Sequence, residues 1–181
     1  MRAAVFLQLC AVARPAAVQH LAPGSYEDVE VHWYSCTDRC LDVHHGETWN
    51  GNKVAIWECV PGELDQRFTA TVENHMKSDS LLRWSRHPDK CIQVDNSSQS
   101  VELWDCNEDN PRQHFSIHDD GNGQIRWAKS QPPKCLEVDG GKTFNGNVID
   151  LEDCDTETVN QRFFIVDEKA GVAPAYSGCP T

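Results

Sequence analysis

Tryptophan, aspartate and cysteine are the residues of this chain whose spacing could do chemistry. Trp57 and Trp104 each stand two residues before a cysteine, at the end of a run whose alternate members are aliphatic: Val54 and Ile56, then Val101 and Leu103. A period of two sends those aliphatics inward and leaves Ala55 with Trp57, and Glu102 with Trp104, on the outer face. A third run, Ile149 and Leu151, turns Asp150 and Glu152 outward. An indole on the outer face of a strand exposes apolar surface that invites a ligand. A pyranose ring is its complement, because one face of the ring carries C–H groups that lie flat on an indole. A carboxylate beside the indole would take two adjacent hydroxyls, each charged hydrogen bond worth about 1.5–3 kcal/mol. The plainer readings are an aromatic covered by a neighbouring loop and a carboxylate that caps a turn.

The cysteines offer another chemistry. Nine in 181 residues point to an oxidising compartment. Zinc needs Cys-x-x-Cys or Cys/His clusters at ligand spacing, which this chain lacks, so neither metal nor cofactor is expected. His44-His45 reads as a solvated loop. The acidic run from Asp150 to Asp155 reads as the solvent face of a strand, without the glycine and spacing of an EF-hand. No Ser/His/Asp or Cys/His arrangement stands out, and the many surface carboxylates form only arbitrary pairs for glycoside hydrolysis. No catalytic residues are expected and the chain reads as a non-enzyme. Its formal charge of −12 with no Lys/Arg cluster disfavours nucleic acid and anionic membrane as partners.

These residues sit in a pattern written three times. Each copy opens on Cys-aliphatic-x-Val (Cys40–Val43, Cys91–Val94, Cys135–Val138) and reaches an aliphatic-x-x-Cys strand end (Ile56–Cys59, Leu103–Cys106, Leu151–Cys154). Each closes on Gln-x-Phe, at Gln66, Gln113 and Gln161, with intervals of 47 and 48 residues. Trp33, Trp84 and Trp127 precede the opening cysteines. A constant period means units that bury their apolar faces only against one another, and three of them favour a closed threefold object. No segment has a helical period, and turn signals come every ten residues or so. Four strands per unit are expected, in the third unit at 124–128, 135–138, 147–154 and 162–166. The turns 46–52 and 141–147 share Asn-Gly, a strong hairpin signal. The middle turn is shorter, and its Asn96-Ser97-Ser98 is a glycosylation sequon if the chain is secreted. Twelve strands closed on themselves leave no sheet edge exposed.

The expected order along the chain is a secretory signal at 1–17, a linker at 18–28, the repeating domain at 29–168 and a tail at 169–181. The units fall at about 29–75, 76–121 and 122–168. The signal rests on Arg2 ahead of the apolar run Ala3 to Ala13, too short to span a bilayer; the alternative is an Ala-rich leader on a cytosolic protein. Removing the signal takes Cys10 with it and leaves eight cysteines. The repeat selects Cys40–Cys59, Cys91–Cys106 and Cys135–Cys154, at separations of 19, 15 and 19 residues, each a loop worth about 3 kcal/mol in the chain-entropy model. Cys36 and Cys179 remain, and a ring brings its ends together, so they form the fourth pair.

With Cys-Leu-Asp-Val, the Asn-Gly-Asn turn, the aliphatic-Trp-x-Cys strand end and three Gln-x-Phe motifs, the chain resembles the ricin B-type lectin family over about 140 residues. The family departure is Phe for Trp in all three closing motifs. The resemblance implies an all-β β-trefoil of three four-stranded repeats with intra-repeat disulfides. It also implies a shallow sugar pocket per unit. In the first, Asp42 is the acceptor, Trp57 the platform, Asp65 stands where Asn is usual and Gln66 orients the network. The second unit keeps Trp104 but has Gln93 for the acid and Arg112 for the Asn, and reads as structural. The third offers a second site through Glu137, Asn160 and Gln161, with Glu152 in place of the aromatic unless Phe144 reaches over from the turn.

The expected function is therefore that of a secreted, lectin-like protein whose partners are glycans, with galactose or N-acetylgalactosamine termini implied by the resemblance and xylan-type polysaccharides as the second possibility. The rival expectation is a non-enzymatic trefoil that binds proteins, such as a protease inhibitor, with lapsed sugar sites. The sequence carries no signal of oligomeric state.

Overall fold

The computed structural model describes residues 24–73, 80–95, 97, 99–118, 123–167, 169 and 179. Residues 1–17, Cys10 and Asn96 lie outside them. The first unit contributes β1 (Gly24–Trp33), β2 (Cys36–Val43), β3 (Asn52–Glu58) and β4 (Phe68–Glu73). In the second, the opening strand is split into β5 (Ser80–Leu81) and β6 (Arg83–Trp84), followed by β7 (Lys90–Asp95), β8 (Ser100–Asp105) and β9 (His114–His118). The third supplies β10 (Ile125–Trp127), β11 (Lys134–Val138), β12 (Asn147–Asp153) and β13 (Phe163–Val166). Between strands the described residues hold only short 3-10 turns. The fold is an all-β trefoil.

First and fourth strands pair around the molecule, with β13 returning to β1 (Trp33 opposite Phe163). The closing Phe of each unit faces a Trp across the ladder in the unit that follows: Phe68 opposite Trp84, Phe115 opposite Trp127, Phe163 opposite Trp33. These rings, with Val31, Leu41, Ile92, Leu103, Leu136 and Ile149, make one continuous apolar core. Trp84 and Trp127 donate from Nε1 to the carbonyls of Leu64 (2.9 Å) and Pro111 (2.8 Å), whereas buried Trp33 leaves its Nε1 without a partner.

Second and third strands form three hairpins across one end, each clipped by its disulfide: Cys40–Cys59, Cys91–Cys106 and Cys135–Cys154. In the two long turns a buried Asn ties the loop down. Asn52 donates from Nδ2 to the carbonyls of His44 (2.9 Å) and Glu47 (2.8 Å), and Asn147 to those of Asp139 and Lys142 (both 2.9 Å). Gly51 and Gly146 just before them have φ of +90° and +86°, a region that disfavours side chains.

The expected linker at 18–28 needs correcting over its last residues. β1 begins at Gly24 and pairs with β4 through Gly24, Ser25, Tyr26 and Val29, so 24–28 belongs to the sheet; its ladder hydrogen bonds draw it in despite the Pro-Gly-Ser composition. At the far end Cys179 bonds to Cys36, over a separation of 143 residues. Inside, Glu30 is buried with Arg67 Nη2 and His32 Nε2 each 2.9 Å from its carboxylate, so the charges buried beside the core are paired.

Candidate functional site

The first hairpin places Asp42 opposite Ala55 and Cys40 opposite Trp57. That register sets the acid and the indole on one face, two positions apart along the strands. Asp42 is only 6% exposed. Gln66 donates from Nε2 to Asp42 Oδ2 (3.0 Å) and to the Glu58 carbonyl (2.8 Å), while its Oε1 accepts the Val60 N–H (2.9 Å). One amide thus ties acceptor, platform strand and closing turn together. Burial pushes the Asp42 carboxyl up to about 7, the Gln66 hydrogen bond opposes this, and the neighbouring charges of Asp65 and Glu63 add to it.

Asp65 does not leave an uncompensated charge beside Asp42. Its Oδ1 accepts from Arg86 Nη1 at 2.8 Å, an ion pair supplied by the second unit. The same carboxylate lies against Gly46, φ +62°, where any Cβ would overlap it. Asn160 occupies the equivalent place over Gly141, φ +64°, in the third unit.

The rim was less legible in the sequence. His44 and His45 sit edge-on to Trp57, with ring centroids 6.0 and 6.2 Å away, so the solvated turn that carries them also borders the platform. Burial, the His45 charge and Lys53 lower the pKa of His44. The other border comes from the third unit. Gly146 N–H donates to the Ile56 carbonyl (2.9 Å), Asn145 Oδ1 accepts the Glu58 N–H (2.8 Å), and the Gly146 backbone lies against the Trp57 ring. The turn carrying Phe144, 57% exposed, is therefore seated on the strand of the first unit that carries Trp57. Hairpins of successive units abut, and the turn tip overhangs the neighbour. Ala55 differs too: it is fully buried, because β12 pairs along the free side of β3.

The same glutamine geometry recurs where the pocket residues change. Gln161 donates to Glu137 Oε2 (2.8 Å) and the Asp153 carbonyl (2.9 Å); Gln113 donates to Gln93 Oε1 (3.1 Å) and the Asp105 carbonyl (2.8 Å). In the third unit Gln161 bonds to Glu137 and its neighbour Asn160 lies over Gly141, while Glu152, at the platform position, is exposed. Among the described residues two clusters carry metal-type atoms, His32 with Cys40 and Cys59, and Asp38 with Cys36 and Cys179. In each the sulfurs bond to one another, leaving one donor where a zinc site needs three or four.

A family model described as the ricin-type β-trefoil lectin domain matches residues 81–178. The chain belongs to the ricin-type β-trefoil lectin family. Solved structures agree on the fold. The designed threefold-symmetric protein ThreeFoil is 21% identical, with a TM-score of 0.62 over 77% of this chain and 97% of its own. The C-half of the earthworm R-type lectin, solved with GalNAc, is 15% identical, with a TM-score of 0.59 over 77% and 98%. The agglutinin of Abrus precatorius is 22% identical, with a TM-score of 0.60 over 81% of this chain and 51% of its own. The match to a mosquitocidal holotoxin spans only 17% of that protein. No curated protein matches. An acid, an aromatic and a bonded glutamine come together in the first unit, whereas Gln93 stands opposite Glu102 in the second and Glu152 takes the aromatic's position in the third.

Proposed function

We propose that this protein binds glycans ending in galactose or N-acetylgalactosamine through the first-unit pocket, outside the cell and without catalysis. Family membership supports the carbohydrate-binding role. The observation that carries the choice of pocket is the hydrogen bond from Gln66 to Asp42 beneath Trp57, which presents a fixed acceptor beside an aromatic face. A sugar ring stacks on Trp57 and donates hydrogen bonds from two hydroxyls to Asp42. Arg86 holds Asp65 and leaves Asp42 as the acid free for the ligand. The third unit, with Glu137, Asn160 and Gln161 but no platform, is a weak second site. The four disulfides support an oxidising, extracellular setting, and the domain runs from β1 to β13. One shallow pocket gives millimolar to sub-millimolar affinity, on the order of −4 to −5 kcal/mol, so clustered glycans supply the avidity.

The test is isothermal titration of the oxidised protein with methyl α-galactoside and N-acetylgalactosamine, beside glucose. Saturable binding of the first two that disappears in Trp57→Ala supports the reading. Equal binding of glucose, or binding untouched by Trp57→Ala, overturns it.

A further inference from the structure

The second unit has lost its floor acid, yet the structure rebuilds a negatively charged, aromatic-walled slot beside it. Gln93, at the place of Asp42, has its acceptor filled: Oε1 accepts from Gln113 Nε2 (3.1 Å) and Asn110 Nδ2 (2.8 Å), while Nε2 donates to Glu102 Oε1 (3.3 Å). No acceptor pair remains there for a sugar's adjacent hydroxyls. Glu102 stands directly across the ladder from Gln93, so the acid has moved one strand over.

The turn of the first unit then brings a second indole to it. Trp49 is 54% exposed, and its turn is clamped to β8. Gly51 N–H donates to the Leu103 carbonyl (2.8 Å), Asn50 Nδ2 to Asp105 Oδ2 (2.8 Å), and Asn50 Oδ1 accepts from Lys90 Nζ and the Asp105 N–H (both 2.9 Å). Three groups converge above Gly51: Glu102 Oε2 and the Trp49 ring each 3.5 Å, and the Trp104 ring 3.9 Å, from the point where a Cβ would stand. Trp49 donates from Nε1 to Glu47 Oε2 at 2.6 Å, which enriches its ring in electrons and adds a second carboxylate.

We propose that Trp49, Trp104 and Glu102 form a binding site for a trimethylammonium group of the choline type, distinct from the first-unit sugar pocket. Indole faces attract cations, most strongly where water is excluded. A primary ammonium carries three N–H donors that an indole face does not satisfy as water does, so it gives up more hydration to enter. A trimethylammonium has no such donor, and its methyls make van der Waals contact with both rings. Lys90 does not compete, because Asp105 and Asn50 hold it. Arg112 acts on Glu102 only at a distance, without an ion pair between them. Burial raises the pKa of Glu102, in keeping with a partly desolvated anion open to a cation.

The experiment is an NMR titration of the full oxidised chain with choline chloride, following the indole N–H signals of Trp49 and Trp104. 3,3-Dimethyl-1-butanol, the neutral isostere, serves as control; phosphocholine and phosphatidylcholine vesicles in separate arms distinguish a free ligand from a lipid head group. Saturable millimolar binding is expected, about tenfold weaker in Trp49→Ala and in Glu102→Gln and unchanged in Asp42→Asn. Galactoside titrated into Trp49→Ala and Glu102→Gln reads the sugar pocket separately, so failure here leaves that reading intact. Absence of saturation, equal affinity for the neutral isostere, or binding lost in Asp42→Asn would each overturn the proposal.

Discussion

Gln66 Nε2 lies 3.0 Å from Asp42 Oδ2 and 2.8 Å from the Glu58 carbonyl, so one amide nitrogen fixes the pocket's acid to the strand that carries its aromatic. Asp42→Asn keeps the shape and removes the charged acceptor. It should weaken galactoside binding by tenfold or more, from the loss of about 1.5–3 kcal/mol, with the near-ultraviolet circular dichroism unchanged. Gln66→Ala should cost about 2 kcal/mol of stability as well, because it strips a buried carboxylate and two backbone groups of their partner; urea melts measure it.

The raised Asp42 carboxyl gives stability and binding opposite pH dependences. Its folded value of about 7 lies above that of an unfolded aspartate. Its contribution to stability is thus complete below about pH 4 and is lost as pH rises through about 7. Sugar binding needs the charged form and should strengthen over the same upper interval. Asp42→Asn should flatten the urea midpoint between pH 5 and 8 relative to the parent, and galactoside titrations at those pH values should show affinity rising only in the parent.

A residue of the third unit should affect the first-unit pocket. Gly146→Ala forces a side chain into φ +86° and against the Trp57 ring, a strain of about 1–2 kcal/mol. Galactoside affinity should fall together with the melting temperature. Gly62→Ala, at φ +80° with nothing within 4 Å of its Cβ, carries similar backbone strain without meeting a ring and should lower the melting temperature with a smaller loss of affinity.

The threefold pattern breaks at Trp33, whose buried Nε1 is unpartnered while that of Trp84 meets the Leu64 carbonyl. Trp84→Phe should therefore destabilise more than Trp33→Phe, by about 1–2 kcal/mol at equal loss of volume. Thermal melts of the two variants give the comparison.

Much of this molecule is visible in its repeat. The period reports directly which strands are equivalent, because each unit must bury the same face, and the disulfide pairs follow from that equivalence. Trp57 was legible through strand alternation, whereas the roles of Asp42 and Gln66 came from the family resemblance, since Gln66 lies in a 3-10 turn that no strand period reaches. Contacts between units were not. That Asn145 and Gly146 seat on β3, that Trp49 leans on β8, and that Arg86 neutralises Asp65 all depend on how hairpins abut in space, which no local period encodes. The burial of Ala55 has the same origin, and β1 extends back to Gly24 because β4 offers it a ladder.

The most direct measurement is a glycan array probed with the oxidised full-length protein and, in parallel, with the Asp42→Asn, Trp57→Ala double variant. The expected result is binding confined to galactose- and N-acetylgalactosamine-terminated glycans that vanishes in the double variant. A blank array at high protein density, or a pattern that survives both substitutions, would contradict a sugar pocket in the first unit.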